Sequence, residues 1–109
     1  MTTNEPQHKR IIVFFDLPTT CKAERRAAAG FRKDLIGNGF YMMQYSVYSR
    51  YCNSDAVVQT HIVRLRRYAP SKGSVRILVI TEKQFEKMEI LVGETTENEK
   101  ITAEQLSFF

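Results

Sequence analysis

Asp16 closes the stretch RIIVFFDLPTT, residues 10–20, in which five consecutive apolar residues run into a carboxylate just before Leu17 and Pro18. Such a carboxylate cannot hold Mg2+ by itself, but it can share in a site, since the ion binds through one or two carboxylates while water and substrate phosphate complete its shell, and a twofold dimer would bring a second Asp16. It can equally form a side-chain turn or accept backbone N–H groups ahead of the proline. The cations that the chain order brings towards it are Lys22, Arg25 and Arg26 on one side and Arg66, Arg67 and Lys72 on the other. Arginine grips phosphate oxygens in a bidentate fork and lysine acts as a point charge. Together these residue types point to a polyanion held by its phosphates.

The elements that must position them can be read in order. IIVFF is apolar at both parities, which predicts a strand covered on both faces. CKAERRAAAGFRKDLIGNG places Ala27, Phe31 and Leu35 at i, i+4 and i+8 beside Ala28, with Arg25, Arg26, Arg32 and Lys33 pointing elsewhere. That spacing predicts an amphipathic helix, capped by Thr20 and stopped at Gly37 or Gly39. FYMMQYSVYSRYC reads as two short strands broken near Gln44 and Tyr45. A second helix begins at NSD, repeats Val58, Ile62, Leu65 and Ala69, and stops before Pro70. VRILVIT is a further strand and KMEILVG a fifth.

Strand, helix, strand, strand, helix, strand is the α+β, ferredoxin-like βαββαβ pattern, here with an extra C-terminal strand. The expected divisions are a flexible arm over 1–10, the domain over 11–93, and an acidic linker and tail over 94–109. In this topology the first strand lies between the third and fourth, so Asp16 is expected beside their beginnings, within a ring formed by the six cations. Both helices cover one sheet face, and the double-sided apolarity of the strands then calls for a second copy of the chain on the other.

Charge supports a polyanionic partner. Residues 1–81 carry thirteen Lys and Arg against five Asp and Glu, whereas residues 82–109 carry three against seven. A basic body attracts nucleic acid, and an acidic tail can screen it or meet a basic partner. No apolar run reaches the roughly 18 residues of a membrane helix, and the polar start MTTNEPQHKR lacks a secretory apolar segment, which predicts a cytoplasmic address. Cys21, Cys52, His8 and His61 form no zinc spacing, and the thiols read as buried or incidental. His61 reads as a packed helix residue beside Ile62 and Leu65, and Tyr41, Tyr45, Tyr48 and Tyr51 as core or interface residues or as base-stacking platforms. No phosphate-binding P-loop, dinucleotide fingerprint or HExxH motif is present. An RNA-recognition module shares the topology, but SVYSRYC lacks its aromatic motif.

Three segments in order carry a resemblance: the hydrophobic strand ending in Asp16, QYSVY over 44–48, and TEKQFEKMEILVGE over 81–94. Over about residues 10–94 the chain resembles CRISPR-associated protein 2, particularly the variety found beside type II effector nucleases. Met42 and Met43 stand where many members carry Arg-Val. The resemblance implies a homodimer in which Met88, Ile90 and Val92 add a strand to the partner's sheet. It further implies a double-stranded DNA scaffold that works with the CRISPR integrase in spacer acquisition. The same resemblance implies a variable Mg2+-dependent endonuclease activity on RNA or DNA, with Asp16 as the catalytic and metal-binding residue.

Overall fold

The computed structural model describes residues 7–94 and follows the order β1 (Lys9–Asp16), α1 (Lys22–Gly37), β2 (Tyr41–Gln44), β3 (Val47–Cys52), α2 (Asp55–Tyr68), β4 (Ser74–Thr81) and α3 (Glu82–Glu86). The four strands form one sheet in the order β2-β3-β1-β4, with every neighbouring pair antiparallel. This is the expected ferredoxin-like topology with β1 central. The acidic tail assigned to 94–109 lies, beyond Glu94, outside the described residues, as do positions 1–6 of the arm.

Alternation along β1 divides its side chains between two environments. Ile11, Val13 and Phe15 join Phe31 and Leu35 of α1, Val58 and Leu65 of α2, and Phe40, Tyr48 and Cys52 in the main core. Phe15 meets Phe31 edge to face, with ring centroids 5.1 Å apart. In α1 the buried stripe is Ala28, Phe31 and Leu35, and Ala27 is exposed. Phe31 and Leu35 are buried as the series predicts, and Ala28, beside it, takes the place of Ala27.

Local chemistry explains the element ends. The Ser54 hydroxyl accepts a hydrogen bond from the Val57 N–H and caps α2, while Ala69, extended before Pro70, ends it. At α1 the N-cap is Cys21 and not Thr20. Thr20 instead donates from its N–H and hydroxyl to Glu24 Oε1, at 2.9 and 2.6 Å. Those two bonds hold the Glu24 carboxyl below its usual range.

Two expectations about the ends of the domain are corrected. β1 starts at Lys9, inside the segment read as an arm, and Arg10 is fully buried. The segment read as a fifth strand is not one in the single chain: β4 runs straight into α3, and residues 88–94 form no strand. A strand needs an edge to pair with, and the chain turns away from its own β4 edge through α3. The signal for that helix is Thr81-x-x-Gln84, a capping box in which the Thr81 hydroxyl accepts from the Gln84 N–H and the Gln84 side chain accepts from the Thr81 N–H.

α3 also covers one end of the sheet face opposite the main helices. Arg10, on that face, pairs with both Glu82 carboxylate oxygens, donates to the Tyr41 hydroxyl at 2.8 Å, and has its guanidinium carbon 4.1 Å from the Phe85 ring centroid. Glu82 is 4% exposed. Truncating one partner strands a buried charge, a loss of about 3–5 kcal/mol. Urea unfolding of Glu82→Ala is therefore expected to show a loss of that size, with the Arg10→Met/Glu82→Leu double variant recovering most of it. A Glu82→Ala protein within about 1 kcal/mol of the parent would show that the pair does not hold α3.

His61 is buried on α2, with its Nδ1 unpartnered and its ring edge to face with Phe40 at 6.0 Å. Burial, reinforced by Arg50 and Arg64, lowers its pKa to about 4. The unfolded chain consequently binds the extra proton first. Stability is complete above the ordinary pKa of 6.5 and declines as pH falls from there towards 4, by on the order of 2 kcal/mol. His61→Leu is expected to flatten the urea midpoint between pH 7 and 5 relative to the parent. Parallel pH curves for the two proteins would contradict the buried neutral imidazole.

Candidate nucleic-acid interface

Asp16 ends β1 opposite Ser74, the first residue of β4, on the face that also carries Arg10, Ile12 and Phe14. Two turns converge on it, as the topology predicts. The Phe15 N–H donates to the Ser46 carbonyl at 3.1 Å, which draws the β2–β3 turn to the end of β1. Ser46 itself sits at φ 62, in the left-handed region. From the other side, Gly73 (φ 90) packs on the Asp16 backbone: a Cβ there would meet the Asp16 carbonyl oxygen at 2.6 Å and Leu17 and Pro18 at 3.0 Å. Only glycine accepts both the dihedral and the approach.

The result is an open depression of about 370 Å³ lined by Phe14, Phe15, Asp16, Tyr45, Ser46, Val47, Ser74 and Arg76. Phe14 lies between Val47 and Arg76 in the sheet register and supplies its apolar floor. Asp16 and Arg76 share the rim, are both exposed, and make no ion pair or hydrogen bond among the described residues. The carboxylate and the guanidinium are both free to meet a ligand.

The six cations expected around Asp16 are not in this depression. The reason is parity. Asp16 is on the open face, whereas α1 and α2 pack with Ile11, Val13 and Phe15 on the other, so their cations lie in the helix layer. All six are exposed. Arg25 donates to the Thr19 carbonyl at 3.3 Å, and Lys72 lies 3.9 Å from Glu24, linking the loop before β4 to the first turn of α1. Arg66 and Arg67 occupy the last turn of α2, where the helix dipole favours positive charge. Arg67 and Arg64 border a second shallow depression with Gln59, Thr60 and Val63. The helix layer thus presents a cationic surface separate from the carboxylate.

The four tyrosines part company. Tyr48 packs in the core beside Phe15, Tyr41 accepts from Arg10, and Tyr51 bonds His8, whereas Tyr45 is 77% exposed on the rim of the Asp16 depression. Arg76 carries no helical spacing or motif that singles it out. Its one signal is its even offset from Leu78 in VRILVIT, a charge on a strand otherwise apolar at both parities.

Among the described residues no three His, Cys, Asp or Glu side chains gather into a metal cluster, and no helix is long and apolar enough to cross a membrane. The β4 edge is the other open feature. The strand pairs with β1 alone among the described residues, and Ile77, Leu78 and Val79 remain 37%, 50% and 38% exposed.

Comparison with known proteins agrees with this architecture. The family model described as CRISPR associated protein Cas2 matches residues 9–88. A protein named CRISPR-associated endoribonuclease Cas2 from Acidovorax ebreus (strain TPSY) is 46% identical over 101 residues, covering 92% of this chain and 99% of its own. Proteins of the same name from Parvibaculum lavamentivorans (43% identical, 91% of this chain and 98% of theirs) and Campylobacter jejuni (42%, 92% and 70%) are also similar. A solved structure described as a crystal structure of cas2 matches with a TM-score of 0.55 at 21% identity, covering 83% of this chain and 92% of that one, a likeness of fold. With β1 central, the two helices on one face and the family model spanning the whole sheet, the chain belongs to the CRISPR associated protein Cas2 family.

Proposed function

We propose that this chain is a dimeric scaffold of CRISPR adaptation that holds double-stranded DNA by its phosphates and works with the CRISPR integrase in spacer acquisition. The observation that carries this reading is the unfilled, apolar edge of β4 in a chain whose segment after α3 exposes Met88, Ile90 and Val92. An open apolar edge is a template for strand addition. Exchange of that segment between two copies fills both edges and buries apolar side chains that one chain leaves in water. Dimerisation also doubles the exposed cationic surface of Lys22, Arg25, Arg26, Arg66, Arg67 and Lys72. Contacts of this kind fix position on a duplex and carry no base information, which suits a protein that handles foreign DNA of any sequence. Family membership supports the CRISPR role, and the integrase follows from the resemblance of the whole chain to that family.

A second reading rests on Asp16 and on the name of the relatives, endoribonuclease. The site suits Mg2+, because Asp16 is exposed, without a side-chain partner among the described residues, and Mg2+ asks for few protein ligands. Asp16, with Asp16 of a second copy, would hold the ion. When bound it supplies positive charge to phosphate oxygens and acidifies water. Arg76, on the same rim, would hold the phosphate in place.

The Asp16→Asn variant separates the two. Mg2+-dependent cleavage of single-stranded RNA is expected to disappear while duplex affinity in EDTA stays within about twofold, since the phosphate-binding cations are elsewhere. Loss of duplex binding by a dimeric Asp16→Asn protein would contradict the scaffold reading. The Arg25→Glu/Arg26→Glu variant is expected to weaken binding to unrelated duplexes alike, and to lower the log–log salt slope by about 0.9 for each phosphate no longer neutralised. A weakening confined to some sequences would contradict backbone recognition.

A further inference from the structure

The polar depression at Asp16 has the parts of a nucleotide subsite, and two of them lie apart from the cationic surface that suits a duplex. Tyr45 stands on one rim, 77% exposed. An exposed tyrosine ring offers solvent an apolar face with a polar tip, a surface on which a base can stack. Its backbone is held at the next residue: Ser46 sits at φ 62 and its carbonyl accepts from the Phe15 N–H. Arg32 of α1 reaches the ring with its guanidinium carbon 5.8 Å from the centroid, which steadies it from the helix side. Across the floor made by Phe14 stands Arg76, exposed and unpaired among the described residues. Ser46 and Ser74 line the same depression as Asp16.

We infer that Tyr45 and Arg76 form a binding subsite for one nucleotide of a single-stranded nucleic acid, the ring stacking on a base and the guanidinium holding the adjoining phosphate beside Asp16. A duplex keeps its bases stacked on one another and offers none to Tyr45; an unpaired strand offers its base face at no unstacking cost. Stacking is tolerant of base identity, and Arg76 sees phosphate alone, so the subsite discriminates strand state and not sequence. This deepens the second reading of the Asp16 site: it supplies the residues that would seat a single strand over the carboxylate.

The test is binding, measured in EDTA so that neither metal nor cleavage enters. Fluorescence anisotropy of the full chain is followed with labelled oligouridylate and oligothymidylate 12-mers and with a duplex. Tyr45→Ala is expected to weaken both single strands by about tenfold, Tyr45→Phe to bind like the parent, and Arg76→Gln to weaken them and lower the salt slope by about 0.7. Duplex affinity is expected to stay unchanged in all three. All three substitutions are at exposed positions, and unchanged thermal melting confirms intact folding. Parent-like single-strand binding by Tyr45→Ala, equal losses in Tyr45→Phe and Tyr45→Ala, or no single-strand binding by the parent would each overturn the subsite. A loss confined to oligouridylate would overturn the indifference to the sugar and with it the stacking account. Because the readout needs no catalysis, an inactive Asp16 leaves this result standing, and a failed subsite leaves the metal role of Asp16 to be judged by cleavage.

Discussion

The alternation of β1 governs how every other part of the molecule is placed. β1 is central, hydrogen-bonded on both sides, and its odd-numbered residues from Ile11 to Phe15 are committed to the core beneath α1 and α2. That commitment places Arg10, Ile12, Phe14 and Asp16 on the opposite face. A slip of one residue would bury Asp16 under the helices and expose Phe15, so the register is held by the full weight of the core. The close fit of Gly73 on the Asp16 backbone and the Phe15 bond to Ser46 lock the same end.

The face opposite the helices is consequently divided along β1. At its beginning the Arg10 guanidinium, Glu82, Tyr41 and Phe85 form a closed, satisfied network that fixes α3. At its end Asp16, Arg76, Tyr45, Ser46 and Ser74 leave polar groups open to solvent around an apolar floor. The two ends use the same residue types, a carboxylate and a guanidinium, to opposite effect. Paired and buried, they hold an element; unpaired and exposed, they remain available to a ligand. The cationic surface of the helix layer is separate from both, so substitutions can alter it and the Asp16 end independently.

Much of this was legible in the sequence. The periods of 3.6 in both helices, the break at Gln44 and Tyr45, and Pro70 after Ala69 were sufficient for the βαββαβ order, and the topology then placed Asp16 beside the turns at Ser46 and Ser74. The ring of six cations was misplaced because chain order tells which end of a sheet a residue reaches but not which face, and the parity of Asp16 against Phe15 decides that. Thr20 lost the cap because its hydroxyl bonds Glu24, a choice between two local partners that propensity does not rank. The strand read in KMEILVG has the right composition, but α3 turns the chain away from its own open β4 edge. Arg10, next to an apolar run, gave no sign of burial until Glu82, 72 positions away, was placed over it.

In the dimer we propose, that unpaired segment lets two copies complete each other's sheets and brings two Asp16 carboxylates and two cationic surfaces into one particle. β4 offers an eight-residue edge, and the exposed apolar residues beyond α3 are the segment to fill it. Sedimentation equilibrium of the full chain at micromolar concentration reads this out without any assumption about ligand or metal. Mutual sheet completion requires a species of twice the 12.7 kDa chain mass, and a particle that remains at 12.7 kDa across that range would contradict it.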